Sequence, residues 1–442
     1  MNNVTATEYG FTAPEEQSPL IFPPRSSSKR PYAEELPKDL RRGWVTVFAS
    51  FLIHAVVLGI QNTWGIYQAT YSKQGVANTS LLALIGSLSA GLMPGFAFVA
   101  GTISLRIGYR LTVSMGTIMI ISGLVGASFS KSYWVICACQ GVIYGLGASL
   151  CWFPAVVSPG LWFDKYRGIA MGIASAGTAV GGSGLTFLTR GLIDHYDGDV
   201  AWPLRIIAMG SLVVLAIAIA LIDSRVDSSP AKPSYKPVKM DWKFFKDRRF
   251  ILMFLISVLN VVGFLIPIHF LAVFGQAIKL EDSKSTILIA VYNGISGVGR
   301  IVAGILADAY FGYTNSLFMC MFFGALAILG LWSIAWNFAM MMCFVVLQGF
   351  MSGGFISLFS VVIGQVFGQD KVTSIGGFIY AGMAVGILAG SPVAGAIVDA
   401  EGRSGQAKYL PAILYGGSSL MAAAILVFVL KLWQRKGLFV KV

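Results

Sequence analysis

Residues 44–68 read WVTVFASFLIHAVVLGIQNTWGIYQ, a run that contains no aspartate, glutamate, lysine or arginine. A helix of about 20 mostly apolar residues is long enough to cross the hydrocarbon core of a bilayer. Because the remainder of the chain repeats this pattern, the sequence predicts an all-α integral membrane protein with twelve transmembrane helices. The predicted spans lie near residues 44–68, 80–104, 111–130, 133–157, 168–189, 204–223, 250–274, 285–307, 315–334, 337–360, 373–397 and 409–432.

The composition of the 442 residues indicates the same class of protein. Apolar residues make up 56% of the chain and charged residues 12%, whereas soluble domains average about 45–50% and about 25%. An ordinary soluble enzyme, a disordered chain and a secreted disulfide scaffold are therefore excluded. The net charge of +12 does not indicate a nucleic-acid partner, because the basic residues are distributed among the loops between apolar runs. All five cysteines lie within apolar runs, and no pattern predicts a cofactor or a metal ion.

Lysine and arginine decide the orientation of the predicted helices. An even number of spans places both termini on one side, and the loops of that side carry most of the basic residues. Both termini are therefore predicted to be cytoplasmic. The predicted organisation is a disordered cytoplasmic N-terminal tail (1–43), a first six-helix half (44–223), a cytoplasmic linker (224–249), a second six-helix half (250–432) and a cytoplasmic C-terminal tail (433–442).

The two halves share motifs at corresponding positions. Residues 140–141, Gln-Gly, correspond to residues 348–349, also Gln-Gly. The stretch 101–110, GTISLRIGYR, corresponds to the stretch 304–312, GILADAYFG. The last two stretches resemble the loop motif of the major facilitator superfamily. The resemblance implies two six-helix repeats that bind a solute between them near the middle of the membrane.

The loop motif of that family combines glycines with an aspartate and basic residues. The first copy keeps Arg106 and Arg110 but has Leu105 in place of the aspartate, whereas the second copy keeps Asp308. The resemblance implies that Arg106, Arg110 and Asp308 form a conformational latch that biases the inward-facing and outward-facing states. A tight turn between two helices is the alternative interpretation of the first copy.

A second resemblance begins at the fifth span. Residues 162–177, WFDKYRGIAMGIASAG, are similar to the motif of the monocarboxylate transporter family, and residues 62–68, NTWGIYQ, resemble its fungal branch. The resemblance implies proton-linked transport of carboxylates. Two positions depart from animal members of the family. Asn62 lies nearest to the position of a proton-accepting lysine, and Ser296 replaces an aspartate four residues before Arg300.

Arg300 is the first candidate for the solute site. It lies within the eighth span, where a charged side chain costs about 2.5–3.5 kcal/mol on insertion scales, so we expect it to face a cavity or a partner. A guanidinium binds a carboxylate through two parallel hydrogen bonds. The alternatives are that Arg300 reaches the membrane interface or pairs with Asp308 further along the same helix.

The other polar residues of the spans have two interpretations each. His54 is the candidate proton carrier, because imidazole takes up and releases a proton near physiological pH, and a hydrogen bond to a neighbouring helix is the alternative. Amide side chains either line the solute path or join neighbouring helices. The amides selected as candidate solute ligands are Asn62, Gln140, Asn293 and Gln348. The aromatic residues that either form an apolar wall or pack between helices are Trp152, Phe355 and Phe359.

These patterns favour a secondary active transporter that works by alternating access. The expected cargo is a small organic solute that carries a carboxylate, and the neutral, aromatic spans favour export of a secondary metabolite. Proton-linked uptake of a monocarboxylate or a vitamin-like nutrient is the alternative, followed by a nutrient sensor that transports nothing. No enzyme is predicted, because the chain has no P-loop, no paired acid and base and no activated nucleophile.

The same patterns predict the partners and the location of the protein. The expected partners are the solute, protons and the lipid bilayer, with no nucleic acid and no obligate protein partner. The plasma membrane is the expected location. Residues 16–21, EQSPLI, have the acidic dileucine form of a sorting signal, so the vacuolar membrane is the alternative location.

Overall fold

The computed structural model describes residues 40–163, 165–223, 242–402 and 405–433, which fold into helices without a strand. We number these helices in chain order and count each π segment with the helix that it continues. The twelve helices are α1 (Leu40–Lys73), α2 (Thr79–Gly95 and Ala97–Ile107), α3 (Tyr109–Ala127), α4 (Tyr133–Trp162), α5 (Arg167–His195), α6 (Ala201–Leu221), α7 (Arg248–Ala277), α8 (Asp282–Leu306 and Ala307–Phe311), α9 (Tyr313–Trp332), α10 (Phe338–Phe367), α11 (Val372–Ala400) and α12 (Leu410–Trp433).

The predicted all-α membrane fold is confirmed for the described residues. Ten helices are long and apolar enough to cross a bilayer, and the two segments of α2 make an eleventh span if they are counted together. α5 has sufficient length, with 29 residues, but glycine takes the place of larger apolar side chains along it and lowers its hydropathy. The number of helices therefore matches the prediction, whereas hydropathy alone identifies ten or eleven of them.

Most of the predicted tails and linker, residues 1–39, 224–241 and 434–442, lie outside the described residues. At the N-terminal boundary the chain is already helical at Leu40, whereas the sequence predicts a tail up to residue 43. A short 3-10 helix, Trp242–Lys246, precedes α7. The division of the chain into two six-helix halves stays a prediction.

The ends of several helices meet on one side of the bundle. Arg42 near the start of α1, Arg110 in α3 and Leu221 at the end of α6 line one surface cavity of about 630 Å³. The indole Nε1 of Trp162 donates a hydrogen bond of 3.1 Å to the carbonyl oxygen of Asp223, which brings the end of α4 to the end of α6. We call this side the linker side and the opposite side the distal side.

Proline and glycine shape the helix ends that carry the two loop motifs. The two segments of α2 meet at an angle of 46° just after Pro94. Proline has no backbone N–H to donate to the preceding turn of the helix, and its ring clashes with a carbonyl group of that turn. Gly108 follows α2 with a φ of 88°, and Gly312 follows α8 with a φ of 77°. Residues with a side chain rarely adopt these values. Both copies of the loop motif therefore form the tight turn that was one interpretation of the sequence.

α5 lies between α1 and α8 and approaches both helices through glycine. A side chain at Gly177 would collide with the carbonyl group of Phe51 on α1. A Cβ atom at Gly168 would lie 2.6 Å from the carbonyl oxygen of Gly304 on α8. Such short distances between helix backbones require small residues.

Two seams join the first six helices to the last six. We call the contact between α5 and α8 the α5–α8 seam, and the contact between α2 and α11 the α2–α11 seam. In the α5–α8 seam the close contacts run from Gly168 to Ala179, whereas a Cβ atom at Gly184, nearer the distal side, would have no neighbour within 4 Å. In the α2–α11 seam Gly377 packs against the backbone of Phe98. Both seams are therefore closed on the linker side.

Candidate functional site

Arg300 is buried within the α5–α8 seam, with 5% of its surface exposed. Its Nη1 donates a hydrogen bond to the carbonyl oxygen of Ser175 on α5. Its Nε is also buried and has no hydrogen-bond acceptor among the residues that the structure describes. Side chains tilt toward the N-terminus of their helix, and α8 begins on the distal side, so the guanidinium extends from the seam toward the distal side. A permanent cation with an unused donor is therefore held between the two sets of helices.

His54 on α1 lies close enough to Arg300 for the charges of the two groups to interact. The imidazole is buried, and its Nδ1 donates a hydrogen bond of 2.8 Å to the carbonyl oxygen of Ser50 one turn earlier. The hydroxyl of Ser50 lies 3.2 Å from the hydroxyl of Ser158, which links α1 to α4. The structure therefore brings the candidate proton carrier and the candidate anion ligand into one buried region.

Two residues of this region were not predicted from the sequence. Tyr292, on α8 two turns before Arg300, has a buried hydroxyl and interacts electrostatically with the guanidinium. Ser175 contributes only its backbone carbonyl, which no residue type could reveal. The eight-residue spacing between Tyr292 and Arg300 is the one signal that the sequence offered.

The four candidate amides fall into two pairs. Asn62 and Asn293 are exposed, and a Cβ atom at Gly182 on α5 would lie 2.6 Å from Nδ2 of Asn62. Gln140 is buried and accepts a hydrogen bond of 3.3 Å from the hydroxyl of Tyr71 on α1.

Gln348 is buried against α9. A Cβ atom added at Gly324 on α9 would lie 3.1 Å from Oε1 of Gln348. This oxygen has no hydrogen-bond partner among the described residues. Gln140 and Gln348 thus contact helices of their own six-helix set, and the structure does not bring the four amides together.

Asp308 connects α8 to the start of α5. Its Oδ1 accepts a hydrogen bond of 3.0 Å from the backbone N–H of Gly168, and its Oδ2 accepts one of 2.8 Å from that of Ile169. The hydroxyl of Tyr313 donates a third bond of 2.8 Å to Oδ1. The first N–H groups of a helix have no partner within the helix and carry partial positive charge, so a carboxylate at this place is stabilising.

The first copy of the loop motif makes the corresponding contact without a charge. A Cβ atom at Gly101 would meet the carbonyl of Thr373, the second residue of α11, just as one at Gly304 would meet that of Gly168, the second residue of α5. Here the hydroxyl of Tyr109 lies 2.9 Å from Oγ1 of Thr373. The α2–α11 seam therefore has a neutral hydrogen bond at the place where the α5–α8 seam has the carboxylate of Asp308 at the start of a helix.

The two arginines of the predicted latch do not face Asp308 in any described contact. Arg110 donates a hydrogen bond of 2.7 Å from Nε to the carbonyl oxygen of Ile222, which joins α3 to the end of α6. Arg106 is exposed at the end of α2. Of the three predicted latch residues, the structure places Asp308 across a seam.

An aromatic cluster closes the linker side between α4, α10 and α11. The ring of Tyr380 on α11 meets the ring of Trp152 edge-on, with centroids 5.2 Å apart, and that of Phe359 at 5.5 Å. Phe355 adds a tilted contact of 5.0 Å with Phe359. The three aromatic residues selected from the sequence therefore come together, and Tyr380 is the central residue that the sequence did not indicate.

A helical bundle with ten or eleven bilayer-length helices, closed seams and a buried cation between its two sets of helices defines a polytopic membrane transporter. The chain matches the model of the Major Facilitator Superfamily over residues 43–345 and 276–438. It belongs to that superfamily. The protein is therefore a multi-pass membrane transporter of small solutes and not an enzyme.

The relatives of this chain include fungal transporters. It is 30% identical over 415 residues to the MFS transporter asaE of Aspergillus flavus, with 92% of this chain and 93% of the relative covered. It is 26% identical over 421 residues to the agnestins efflux protein AgnL12 of Paecilomyces divaricatus, with 94% and 92% covered. The crystal structure of the human organic anion transporter MFSD10 has the same fold, with a TM-score of 0.63, 14% identity and coverage of 90% and 100%.

Proposed function

We propose that this transporter exports a carboxylate-bearing secondary metabolite by alternating access, across the plasma membrane and with both termini in the cytoplasm. The single observation that supports the cargo is the buried guanidinium of Arg300, whose Nε has no acceptor within the described part of the chain. Within that proposal, the chain is a member of the monocarboxylate transporter-like family and of its fungal branch.

The electrostatics of the seam favour an anionic cargo. A buried charge is costly unless an opposite charge or several hydrogen bonds accompany it. Asp308, the acidic residue of α8 nearest to Arg300 along the linker side, is engaged with the start of α5. The carboxylate of a solute can supply the missing acceptor, since a guanidinium edge and a carboxylate match in two parallel hydrogen bonds.

The direction of transport rests on the relatives. A relative of similar length is named for the efflux of agnestins, and the coverage of both chains extends over more than nine tenths of their lengths. The aromatic cluster on the linker side fits a cargo that is larger and less polar than a simple monocarboxylate.

Proton-linked uptake of a monocarboxylate or vitamin-like nutrient is the second candidate, and the position of His54 favours it. A proton on His54 would place a second positive charge near Arg300, and a bound carboxylate would offset both charges. Proton and carboxylate would then bind together. The same coupling can operate in either direction, so the gradient and not the site decides between uptake and export.

We also propose that Asp308 is the latch of the α5–α8 seam. Its bonds to Gly168 and Ile169 exist only while the linker side is closed, so they stabilise that state. Under the proposed orientation, this is the state closed to the cytoplasm. Arg110 supports the latch indirectly by holding α3 to the end of α6.

Paired metabolite profiles test the function. Cells that lack the gene and their parent are grown at two external pH values, and the compounds inside the cells and in the medium are compared. An anionic compound that accumulates in the deletion cells and disappears from the medium supports export. A compound left unconsumed in the medium supports uptake instead. If the only affected compounds carry no acidic group, the proposal of a carboxylate cargo is wrong.

Complementation ties the profile to the site. The deletion strain receives either the wild-type gene or the Arg300→Ala variant, both with a fluorescent tag. Restoration by the wild type alone, at equal fluorescence in the plasma membrane, supports Arg300 as the anion ligand. Fluorescence at the vacuolar membrane would replace the proposed location.

A further inference from the structure

We infer that the backbone carbonyl of Ser175 competes with the cargo for Arg300, so that closure of the α5–α8 seam weakens cargo binding. The inference rests on the proposed function, since it requires a carboxylate that binds Arg300. It adds a mechanism for release that the site alone does not provide.

The competition follows from the donors of one side chain. A guanidinium has five N–H donors arranged in two edges that can each hold a carboxylate. In the closed seam Nη1 donates a hydrogen bond to the carbonyl oxygen of Ser175, so one of its N–H groups is not free for a carboxylate. The edge that includes Nε has no bond from Nε and stays available. Closure of the seam therefore leaves the guanidinium with fewer donors for the cargo.

The position of this bond couples it to the conformational cycle. Ser175 lies on α5 and Arg300 on α8, which belong to different six-helix sets. Alternating access requires the linker side of this seam to open. When α5 moves away from α8, the carbonyl of Ser175 leaves and Arg300 regains the Nη1 donor for the cargo. When the seam closes again, the carbonyl returns and displaces one of the cargo's hydrogen bonds.

The consequence is that the affinity of the transporter for its cargo differs between the state with an open linker side and the state with a closed one. A hydrogen bond to a charged group that is lost or gained corresponds to a change in affinity of roughly tenfold or more. Affinity is then higher when the linker side is open and lower when it is closed. Under the proposed orientation, the cargo binds from the cytoplasm and is released outside, which suits an exporter. By linkage, cargo must also favour the open seam.

Asp308 offers a useful contrast on the same two helices. Its carboxylate also bridges α8 and α5, but it caps the start of α5 and carries the same charge as the cargo. A cargo bound at Arg300 therefore competes with the carbonyl of Ser175, whereas the donors to Asp308 are the backbone N–H groups of Gly168 and Ile169. The seam has one contact that cargo weakens and one that it leaves in place.

The experiment compares affinities in the two states with benzoate as a simple aromatic carboxylate and benzamide as its neutral counterpart. A side chain at Gly377 would lie 2.6 Å from Cα of Phe98, so Gly377→Leu wedges open the α2–α11 seam without touching Arg300. Gly395→Leu is the matched control, because a Cβ atom at Gly395 on the same helix has no neighbour within 4 Å. Binding is measured by calorimetry on the full-length proteins.

The expected result is roughly tenfold tighter benzoate binding in Gly377→Leu than in wild type and Gly395→Leu. Benzamide should show no such difference. Arg300→Ala should remove benzoate binding in every background, and Arg300→Lys should remove the gain, because an ammonium lacks the fixed, planar donors of a guanidinium. Equal benzoate affinity with and without the wedge, combined with loss in Arg300→Ala, overturns the competition and leaves the proposed function intact.

Two further outcomes are also decisive. Tighter binding in wild type than in the wedge variant overturns the inference and favours uptake. Benzoate binding that is absent, or that survives Arg300→Ala, overturns the proposed carboxylate site and the inference together.

A second measurement covers the case in which Gly377→Leu does not fold. Spin labels at the exposed residues Lys165 and Tyr310 report the width of the α5–α8 seam on the linker side. The labels require serine at the three cysteines that are not buried, Cys137, Cys139 and Cys343. Benzoate, but not benzamide, should increase the population with a long label distance. An unchanged or shorter distance with saturating benzoate contradicts the inference.

Discussion

Asp308 at the end of α8 caps the start of α5, where its Oδ1 lies 3.0 Å from the backbone nitrogen of Gly168. The contact combines a charge-assisted hydrogen bond with the favourable placement of an anion at a helix N-terminus. At the corresponding place in the other seam, the residue is Leu105, and Tyr109 and Thr373 make a neutral hydrogen bond instead. The two seams are therefore related in geometry but differ in their electrostatics.

The Asp308→Asn variant tests the charge of this latch. Asparagine keeps one acceptor but loses the negative charge and the second acceptor, which should destabilise the closed linker side by about 1–2 kcal/mol. The ratio of open to closed molecules should rise roughly 5- to 30-fold. Spin labels at the exposed residues Ile107 and Lys371 measure this ratio on the opposite seam. An unchanged distance distribution would show that the carboxylate does not hold the closed state.

The Leu105→Asp variant asks whether the missing charge can be restored. A new carboxylate there should reach the first N–H groups of α11, as that of Asp308 reaches those of α5. The closed linker side should gain about 0.5–2 kcal/mol, and transport should slow because opening becomes rarer. Labels at Lys165 and Tyr310 should show fewer open molecules. Leu105→Asn is the matched control, since it adds a polar group without the charge.

The Arg300→Ala variant should abolish transport of an anionic solute and leave membrane abundance unchanged. Loss of a two-bond pair between guanidinium and carboxylate corresponds to about 3 kcal/mol, or roughly a hundredfold in affinity. Arg190→Ala is the matched control, because Arg190 is an exposed arginine of α5 whose Nε lies 3.6 Å from Oδ2 of Asp194. Full activity of Arg300→Ala, or an equal loss in the control, contradicts the anion site.

The His54→Gln variant tests the proton carrier. Glutamine is neutral at all relevant pH values but can still donate to the carbonyl of Ser50, so packing and the local hydrogen bond are retained. The dependence of transport on pH should flatten, because glutamine cannot take up a proton. His195→Gln provides the control, since His195 is exposed at the end of α5. A pH profile identical to that of wild type would assign His54 to helix packing.

The sequence predicts the helices because a helix that crosses lipid requires a long run of apolar residues. The seams depend on how closely the helix backbones approach each other, which no run of residues predicts. Apolar runs identify α1 and α10, but α5 falls short in hydropathy because its glycines serve helix contacts. Arg300 and His54 were found from the cost of polar groups in a membrane. Their proximity depends on the packing of α1, α5 and α8, which the sequence does not state.

The candidate amides show the limit of reading polar residues by position. Gln140 and Gln348 occupy corresponding places in the two motifs, yet each faces a helix of its own set. Asn62 and Asn293 are exposed. A polar residue in a span satisfies the same pattern whether it binds solute or a neighbouring helix, and only its direction around the helix separates the two roles.

Two glycines of α5 distinguish contacts that hold the fold from contacts that move. A Cβ atom at Gly181 would collide with the backbone of Ala55 on α1, within the first six helices. A Cβ atom at Gly172 would lie 3.0 Å from Cα of Ile301 on α8, across the seam. Gly181→Leu should therefore lower membrane abundance, because overpacking costs about 1–3 kcal/mol or more and the helices cannot separate without unfolding.

Gly172→Leu should instead retain much of its abundance, because the seam can yield by staying open. The labels at Lys165 and Tyr310 should then report a longer distance, and transport should fall because the linker side no longer closes. Gly184→Leu, at a position of α5 without neighbours, is the control for the size of the side chain. Equal loss of abundance in Gly172→Leu and Gly181→Leu would show that the α5–α8 contact belongs to the fixed core. The proposal that this seam opens and closes during transport would then be wrong.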